Sequence, residues 1–329
     1  MSLGFRSKHE AGLALPLSML FLLLLLGCQE PGRAAPASGR FESVREPVFA
    51  GTWYHGDGAS LYRGIRAFIE AVPKRPIPSL RMLICPHAGI GLSGATAGHC
   101  YQQLDGLVFD RVWLLAPNHH QALTGIAVPS VEAFATPLGE LPLDTERIAG
   151  LVVAGLARFD DDAHRPEHTI ELQLPFLQAS LLGGFRLIPL LVGDISPEQI
   201  LHTGHTIGAQ LGERDLVIIS SDFTHFGSVF GHRPFDGPLP ERIEQLDRAA
   251  FASLATLDTE RWTEEVLATE VNPCGWRSIG IGLAMFESGQ ARLLEHVVSG
   301  TLDNNYEQCV SYLAIALSGT WYSASKHRD

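Results

Sequence analysis

The chain has 329 residues, of which 46% are hydrophobic and 18% are charged, and this composition excludes a protein that is disordered throughout. Acidic residues outnumber basic residues by 36 to 24, and the net charge of −12 argues against nucleic acid as the main partner. The length is enough for one large folded domain or two small ones.

The first 28 residues have the pattern of a bacterial export signal. Arg6 and Lys8 precede an apolar run, which ends in Leu-Leu-Gly-Cys at Cys28. This ending resembles the lipobox, in which the cysteine is lipidated and becomes the new N-terminus; a plain membrane anchor or a wrongly chosen start codon are the alternatives. We therefore predict a lipoprotein signal over residues 1–28, a flexible tether over residues 29–44 and one domain over residues 45–324. The protein would be exported, and would touch the membrane only through the lipid on Cys28.

Strands and helices alternate through the domain. Ser93, Asp144 and Ser196 are expected N-caps, Pro175 should end or kink its helix, and the helix that starts at Trp276 should end at Gly289. Several strands are continuously apolar, which predicts a single α/β domain with a central, mostly parallel sheet covered by helices on both faces. The expected strands are residues 81–86, 111–117, 125–130, 185–193, 215–221, 291–300 and 309–319, and the expected helices are 93–104, 143–156, 167–181, 196–211, 241–257 and 276–289.

Three of these strands end by presenting polar side chains. His87 follows the first strand, His119 and His120 follow the second, and Asp222 and His225 follow the strand over 215–221. Ligands of open α/β sheets bind at the carboxyl ends of the strands, and imidazoles with one anionic group suit zinc, iron or copper. We therefore expect a metal or catalytic site, with at most one of the two adjacent histidines facing it. Taken singly, each histidine could instead be structural, and Asp222 could be an ordinary turn acid.

Cys274 lies between Pro273 and Gly275, in a turn before a helix. A helix N-terminus lowers the pKa of a thiol, which would favour metal binding or nucleophilic chemistry at this position. The alternative is a buried, inert thiol. Glu167, His168 and Glu171 could share a helical face, and we expect this helix to support the site or to face the substrate.

Six motifs, in this order along the chain, are similar to those of the Memo family, also called AmmeMemoRadiSam system protein B. They are "FAGTWYHGD", "PHAGIGLSG", "APNHH", "EHTIELQLPFL", "SSDFTHFG" and "NPCG", and the resemblance covers residues 46–322. It implies a fold related to LigB-type class III extradiol dioxygenases, which hold iron(II) with two histidines and a glutamate. Memo proteins have a cysteine in place of that glutamate.

Carried over by motif, the resemblance implies that His87, His119 and Cys274 are metal ligands. Iron or copper is then the expected metal, and zinc is possible. Asp222 and His225 would line the same pocket, and we expect them to be catalytic through proton transfer; His225 could instead only brace its turn. Further positions would support the site or face the substrate, and they are His99, His120, His168, Glu171, Trp53 and Tyr54.

Three functions remain open from the sequence. The first is a redox or dioxygenase-like enzyme with a small-molecule substrate. The second is a non-catalytic protein that binds or delivers iron or copper. The third is a peptide-binding module that uses the cleft around Trp53 and Tyr54. The family name also implies a functional link to AMMECR1-like and radical SAM proteins.

Overall fold

The computed structural model of the protein describes residue 41, residues 43–236 and residues 239–327. The predicted signal, Cys28 and nearly all of the predicted tether lie outside the described residues. Val44, which the tether was expected to include, already pairs with Ala133 in a strand. Within the described ranges, no helix combines the length and the apolar character needed to cross a membrane.

The described residues form strands throughout the chain. They are β1 (Val44–Arg45), β2 (Leu80–Cys85), β3 (Arg111–Pro117), β4 (Ile126–Val128), β5 (Ala133–Thr136), β6 (Gly139–Pro142), β7 (Arg158–Phe159), β8 (Arg186–Val192), β9 (Asp215–Ser220), β10 (His225–Phe226), β11 (Phe286–Val298) and β12 (Cys309–Trp321).

Helices separate most of these strands. They are α1 (Gly58–Glu70), α2 (Ile90–Tyr101), α3 (Thr145–Val153), α4 (Asp161–His164), α5 (His168–Glu171), α6 (Leu174–Ser180), α7 (Pro197–Gly208), α8 (Leu239–Leu254), α9 (Thr259–Ala268), α10 (Trp276–Ala284) and α11 (Gly300–Asp303). Short 3-10 helices occupy Ser228–Phe230 and Ala324–His327.

The main sheet has the strand order β10-β12-β2-β9-β3-β8-β4-β7, and β11 also pairs with β12. Its centre, from β2 through β9 and β3 to β8, is parallel. Antiparallel pairs flank this centre, where β12 meets β2 and β4 meets β8. A small second sheet has the order β1-β5-β6. The predicted α/β class is therefore confirmed, with a parallel centre inside a mixed sheet.

Burial of the central strands explains their apolar sequences. Every residue of β9 is buried, as are all residues of β3 after Arg111. Strands buried on both faces need helices on both sides. Helix α10 packs on β9 and β3, and α2 packs on β2 and β12. The carboxyl ends of β2, β3 and β9 lie side by side in this core, and the polar side chains that follow them meet at one edge.

Two predicted helix ends are wrong. Helix α2 begins at Ile90 after Gly89, so Ser93 is not its N-cap; the Ser93 hydroxyl donates to Ala88 O within the first turn. Helix α10 ends at Ala284, and residues from Phe286 onward form β11. Gly289 therefore does not end the helix but lies within β11. A glycine is needed there, because the Cβ atom of any other residue would come 2.4 Å from Ser318 O. Strand pairing with β12 overrides the helical pattern there.

Other predicted caps hold in the structure. Asp144 and Ser196 each accept a hydrogen bond from the backbone three residues on. Pro175 does interrupt the helix expected over residues 167–181, which divides into α5 and α6 with Pro175 in the first turn of α6. The pattern missed α1 and α9 altogether.

Candidate metal centre

A cleft of about 660 Å³ opens at the carboxyl edge of the parallel strands. Its walls include apolar side chains from Trp53, Leu92 and Phe230. Its polar residues are His87, His119, His168, Asp222 and His225. Most of the residues predicted from strand ends therefore meet in one place, as the rule for open α/β sheets requires.

His87 is buried at the floor of this cleft, directly after β2. Its Nδ1 lies 2.9 Å from Ser220 Oγ, at the end of β9. Ser220 must use its single hydroxyl proton to donate to Thr169 O at 2.7 Å, since a carbonyl oxygen can only accept. Ser220 can therefore only accept from His87, so Nδ1 carries the imidazole proton. This leaves the Nε2 lone pair of His87 free for a ligand.

Gln173 holds the same serine from the other side. Its Nε2 donates to Ser220 Oγ and to Pro86 O, both at 2.9 Å, while Tyr101 donates to its Oε1 at 2.7 Å. Pro86 O can only accept, so the orientation of the Gln173 amide is fixed by its surroundings. Every polar atom of this small network has a partner, and such networks hold ligand histidines in one orientation.

His119 follows β3 and is positioned through its backbone. Its N–H donates to Glu167 Oε2 at 2.6 Å, while its side chain is 32% exposed on the cleft wall. Burial opposes ionisation of Glu167, but hydrogen bonds from the His168 side chain and the His119 backbone lower the pKa of this carboxyl to about 2. Burial lowers the pKa of His119 to about 4 despite the nearby Glu167 carboxylate, so the imidazole is neutral near pH 7.

Cys274 approaches His87 and Asp222 from the turn before α10. Its Sγ lies 3.3 Å from His87 Nε2 and accepts a hydrogen bond from Asp222 N–H at 3.3 Å. Gly275 permits this approach, because a side chain there would come 2.7 Å from Ser221 Cβ. Burial raises the pKa of the Cys274 thiol, and the Asp222 carboxylate raises it further. The expected lowering of this pKa is therefore wrong for the metal-free chain, since desolvation outweighs the helix N-terminus.

His87, His119 and Cys274 each offer one donor atom, and these three atoms lie within 4.8 Å of one another. We call this group the thiolate site. Burial also lowers the pKa of His87, so both imidazoles are in the neutral form that metal binding requires. Two imidazoles and one sulfur form a donor set that suits a transition metal, and the residues present fit such an ion.

Asp222 and His225 lie on the wall beside the thiolate site. Asp222 Oδ1 accepts from His87 N–H at 2.8 Å, and burial raises the pKa of Asp222 to about 7. The His225 ring donates through Nδ1 to Phe223 O at 2.8 Å, which leaves Nε2 without the proton in the neutral ring. Burial lowers the pKa of His225. Two titratable groups therefore border one cleft.

The remaining predicted residues separate into two groups. His168 and Trp53 line the cleft with ring centroids 4.5 Å apart, and His120 Nε2 lies 3.4 Å from His168 Nδ1. His120 and three others do not line it. His99 pairs with Glu295 at 3.4 Å, and Tyr54 donates to the fully buried Glu171 at 2.6 Å. Glu171 is not free to face a substrate, because Arg45 and the backbone of residues 48 and 49 also bind it.

Sequence reasoning missed the supporting residues Ser220 and Gln173. Ser220 contacts His87 across 133 positions of sequence, and no local pattern marks such a contact. Glu167 was expected on the helix that supports the site, and the structure shows that its side chain caps α5.

The chain is similar to known proteins over most of its length. Residues 45–316 match the family described as Memo-like protein. The chain is 30% identical over 291 residues to Protein memo-1 homolog of Caenorhabditis elegans, covering 84% of this chain and 83% of that protein. It is 29% identical over 289 residues to Protein MEMO1 of Homo sapiens, covering 83% and 97%.

Among solved structures, an uncharacterized protein, JW3007, from Escherichia coli K12 has a TM-score of 0.49 and 11% identity, and the match covers 72% of this chain and 99% of that one. The family match spans most of the described residues and includes every strand end that builds the cleft. This chain belongs to the Memo-like protein family.

Proposed function

We propose that this Memo protein binds iron or copper at the thiolate site and catalyses a redox, dioxygenase-like reaction on a small molecule held in the cleft. The observation that carries this proposal is the position of the three donors. The three donor atoms lie within 4.8 Å of one another, and His87 and His119 line an open cleft of about 660 Å³, so a bound ion would keep coordination positions that face the substrate space.

The protein's own residues would divide the work at this site. A bound iron or copper ion would supply electron transfer and an acidic coordination position. His87 and His119 would bind the ion as neutral imidazoles, and Ser220 would keep the His87 lone pair directed at it. His225 can take up a proton at Nε2, and Asp222, whose pKa is about 7, can hold or release one.

A peptide-binding function is the second candidate, and the rim of the cleft favours it. Trp53, Leu92 and Phe230 are exposed by 38%, 53% and 43% of their surface, and they give the rim an apolar character. A peptide binder would keep its affinity after the metal donors are replaced, whereas a redox enzyme would lose turnover. A metal-delivery protein would exchange its ion without any turnover. A functional link to AMMECR1-like and radical SAM proteins remains part of the proposal.

The first test is metal analysis of protein purified without oxygen. Replacing His87, His119 or Cys274 by alanine should lower metal occupancy severalfold while the chain stays folded. His202 on α7 lines a different cavity and gives a matched control, since His202→Ala should leave occupancy unchanged. Unchanged occupancy in all three donor variants would remove the proposed thiolate site.

The second test separates proton transfer from metal binding. His225→Ala should retain the metal but slow consumption of O2 or peroxide by a factor of about 100 or more, a typical effect of losing a general acid or base. Metal content and consumption are measured on the same samples. If His225→Ala loses metal as completely as His87→Ala, then His225 is a ligand and its proposed role fails.

A further inference from the structure

A second group of metal donors lies on the other side of His119. His119, Glu167 and His168 each offer a donor atom, and these atoms lie within 4.8 Å of one another. The group shares only His119 with the thiolate site. It contains two imidazoles and a carboxylate, without sulfur, and we call it the carboxylate site.

The distances in this group fit a common ion. Glu167 Oε1 lies 3.1 Å from His168 Nδ1 and 3.8 Å from His119 Nδ1. Two ligands bound at about 2.1 Å, with an angle of about 90–110° between them, lie about 3.0–3.5 Å apart. The third pair of donors, on His119 and His168, lies within 4.8 Å, so the His119 ring must move to bring all three donors to one ion. His119 can make that shift because its side chain is 32% exposed.

Glu167 is a buried anion that lacks a full cationic partner. Its side chain is 1% exposed, and its carboxylate accepts from the backbone N–H groups of His119, His168 and Thr169. In the described structure no lysine or arginine hydrogen-bonds to this carboxylate. Arg45 does bond Glu167, but only at its backbone oxygen. A buried charge is stable when a charge or a metal compensates it, and this one lies between two imidazoles. The His168 side chain also hydrogen-bonds this carboxylate, and an ion bound between Glu167 and His168 would replace the proton of that bond.

We propose that the carboxylate site is a second metal site, which alternates with the thiolate site for one ion. A neutral imidazole has a single lone pair, so His119 can serve only one of the two sites at a time. Two histidines and a carboxylate favour iron(II), whereas a thiolate favours softer ions such as copper(I) or zinc. The identity of the ion would then decide which site it occupies. This inference rests on the proposed function only through the shared His119.

The test uses Co²⁺, because a cobalt–thiolate bond gives a near-ultraviolet absorption band and a cobalt–carboxylate bond does not. The double variant His87→Asn/Cys274→Ala removes two of the three thiolate-site donors. Asparagine can keep the hydrogen bond to Ser220 while it removes Nε2. We expect this variant to bind one Co²⁺ per chain without the thiolate band. Adding His168→Ala should weaken that binding at least tenfold, and adding His202→Ala should not.

The outcomes separate the two sites. If the double variant binds no Co²⁺ while the unmodified protein binds one ion with the thiolate band, the carboxylate site is refuted and the thiolate site stands. If the unmodified protein binds Co²⁺ without that band, and His168→Ala abolishes Co²⁺ binding, the carboxylate site stands. The proposed function then loses its metal site. Thermal melting of the metal-free variants confirms folding. If His168→Ala does not fold, Glu167→Gln is the second variant, because glutamine keeps an oxygen that can cap α5. It should also weaken Co²⁺ binding at least tenfold.

Discussion

Ser220 sits at the end of β9 and determines which nitrogen of His87 carries the proton. Its hydroxyl donates to Thr169 O and accepts from Gln173 Nε2, so it holds His87 in one tautomer. Ser220→Ala should lower metal affinity about 10-fold to 100-fold, the usual effect of losing a support of a metal-bound histidine. Isothermal titration with Co²⁺ measures this loss. Ser180→Ala removes an equally buried hydroxyl far from the cleft, and affinity lost equally in both variants would contradict the role of Ser220.

Asp222 should make the stability of the metal-free protein depend on pH. Burial raises the pKa of this carboxyl from its usual 3.8 to about 7, so the folded state holds the proton more tightly than the unfolded state does. The stability that this tighter proton binding gives the folded state is complete below about pH 4 and is lost as the pH rises through about 7. An asparagine side chain does not titrate. The unfolding free energy of Asp222→Asn, measured relative to that of the unmodified protein, should therefore rise by about 3 kcal/mol between pH 5 and pH 8.

Urea unfolding of metal-free protein at these two pH values measures that gain. The metal must be absent, because a cation beside Asp222 would favour the ionised carboxylate and hide the effect. A stability difference between Asp222→Asn and the unmodified protein that is equal at pH 5 and pH 8 would show that Asp222 is ionised throughout.

The sequence predicted individual cleft residues best where they follow strands. His87, His119, Asp222 and His225 were all placed by this rule, and the structure brings them to one cleft. The family motif, and not the spacing, placed Cys274 beside them. The wrong placement of His99 has a physical cause. A residue in the last turn of a helix has no strand end to direct it, and contacts with β11 decide its position.

At the scale of elements, the segment before α1 is fixed to α5 by one buried ion pair. Arg45 donates to Glu171 Oε2 at 2.8 Å, and it also bonds the backbone oxygens of His164 and Glu167. Removing one partner of a buried pair leaves the other charge uncompensated, at a usual cost of about 3–5 kcal/mol. Arg45→Met should cost about 3 kcal/mol of unfolding free energy, the lower end of that range, because Tyr54 and two backbone N–H groups still hold Glu171.

Urea denaturation measures this cost. Arg248→Ala is the control, since its pair with Glu244 is exposed and should contribute less than about 0.5 kcal/mol. A loss below about 1 kcal/mol in Arg45→Met would mean that the segment before α1 is held by other contacts. Trp53 is part of the same segment, so Arg45→Met should also weaken ligand binding in the cleft.

Long apolar strands were the most predictable elements. β2, β3, β8 and β9 are buried on both faces, and this burial explains their nearly continuous apolar sequences. Helix α1 was missed although Asp57 caps it and its buried residues Leu61, Ile65 and Ile69 recur at helical spacing. The boundary between α10 and β11 could not be read locally, since only pairing with β12 selects a strand there.

At the scale of the whole molecule, the cleft depends on contacts between distant parts of the chain. His87 and Cys274 are 187 residues apart in sequence and come within 3.3 Å of each other. The parallel centre of the sheet makes this possible, because it places the ends of β2 and β9 side by side. The order of strands and helices in the sequence predicts the class of fold. It does not predict the antiparallel pairs, which form where β12 joins β2 and β4 joins β8 at the two edges of the parallel centre.

The location of the protein in the cell is the last property that follows from the chain as a whole. Arg6 and Lys8 precede the apolar run that ends at Cys28, and this order predicts an exported lipoprotein. Lipid attachment needs the Cys28 sulfur, which serine lacks. Each buried CH₂ group of the attached chains contributes about 0.8 kcal/mol, so the lipid would hold the domain on the membrane.

Expressed in a bacterium and fed a labelled fatty acid, the unmodified protein should carry the label and fractionate with membranes. Cys28→Ser should abolish the label and release the protein from this lipid anchor. Cys100→Ala is the matched control, because it removes a cysteine that is buried in α2 and should leave the label in place. Labelling that survives Cys28→Ser would show that Cys28 is not the lipidated residue, and the lipobox interpretation would then be wrong.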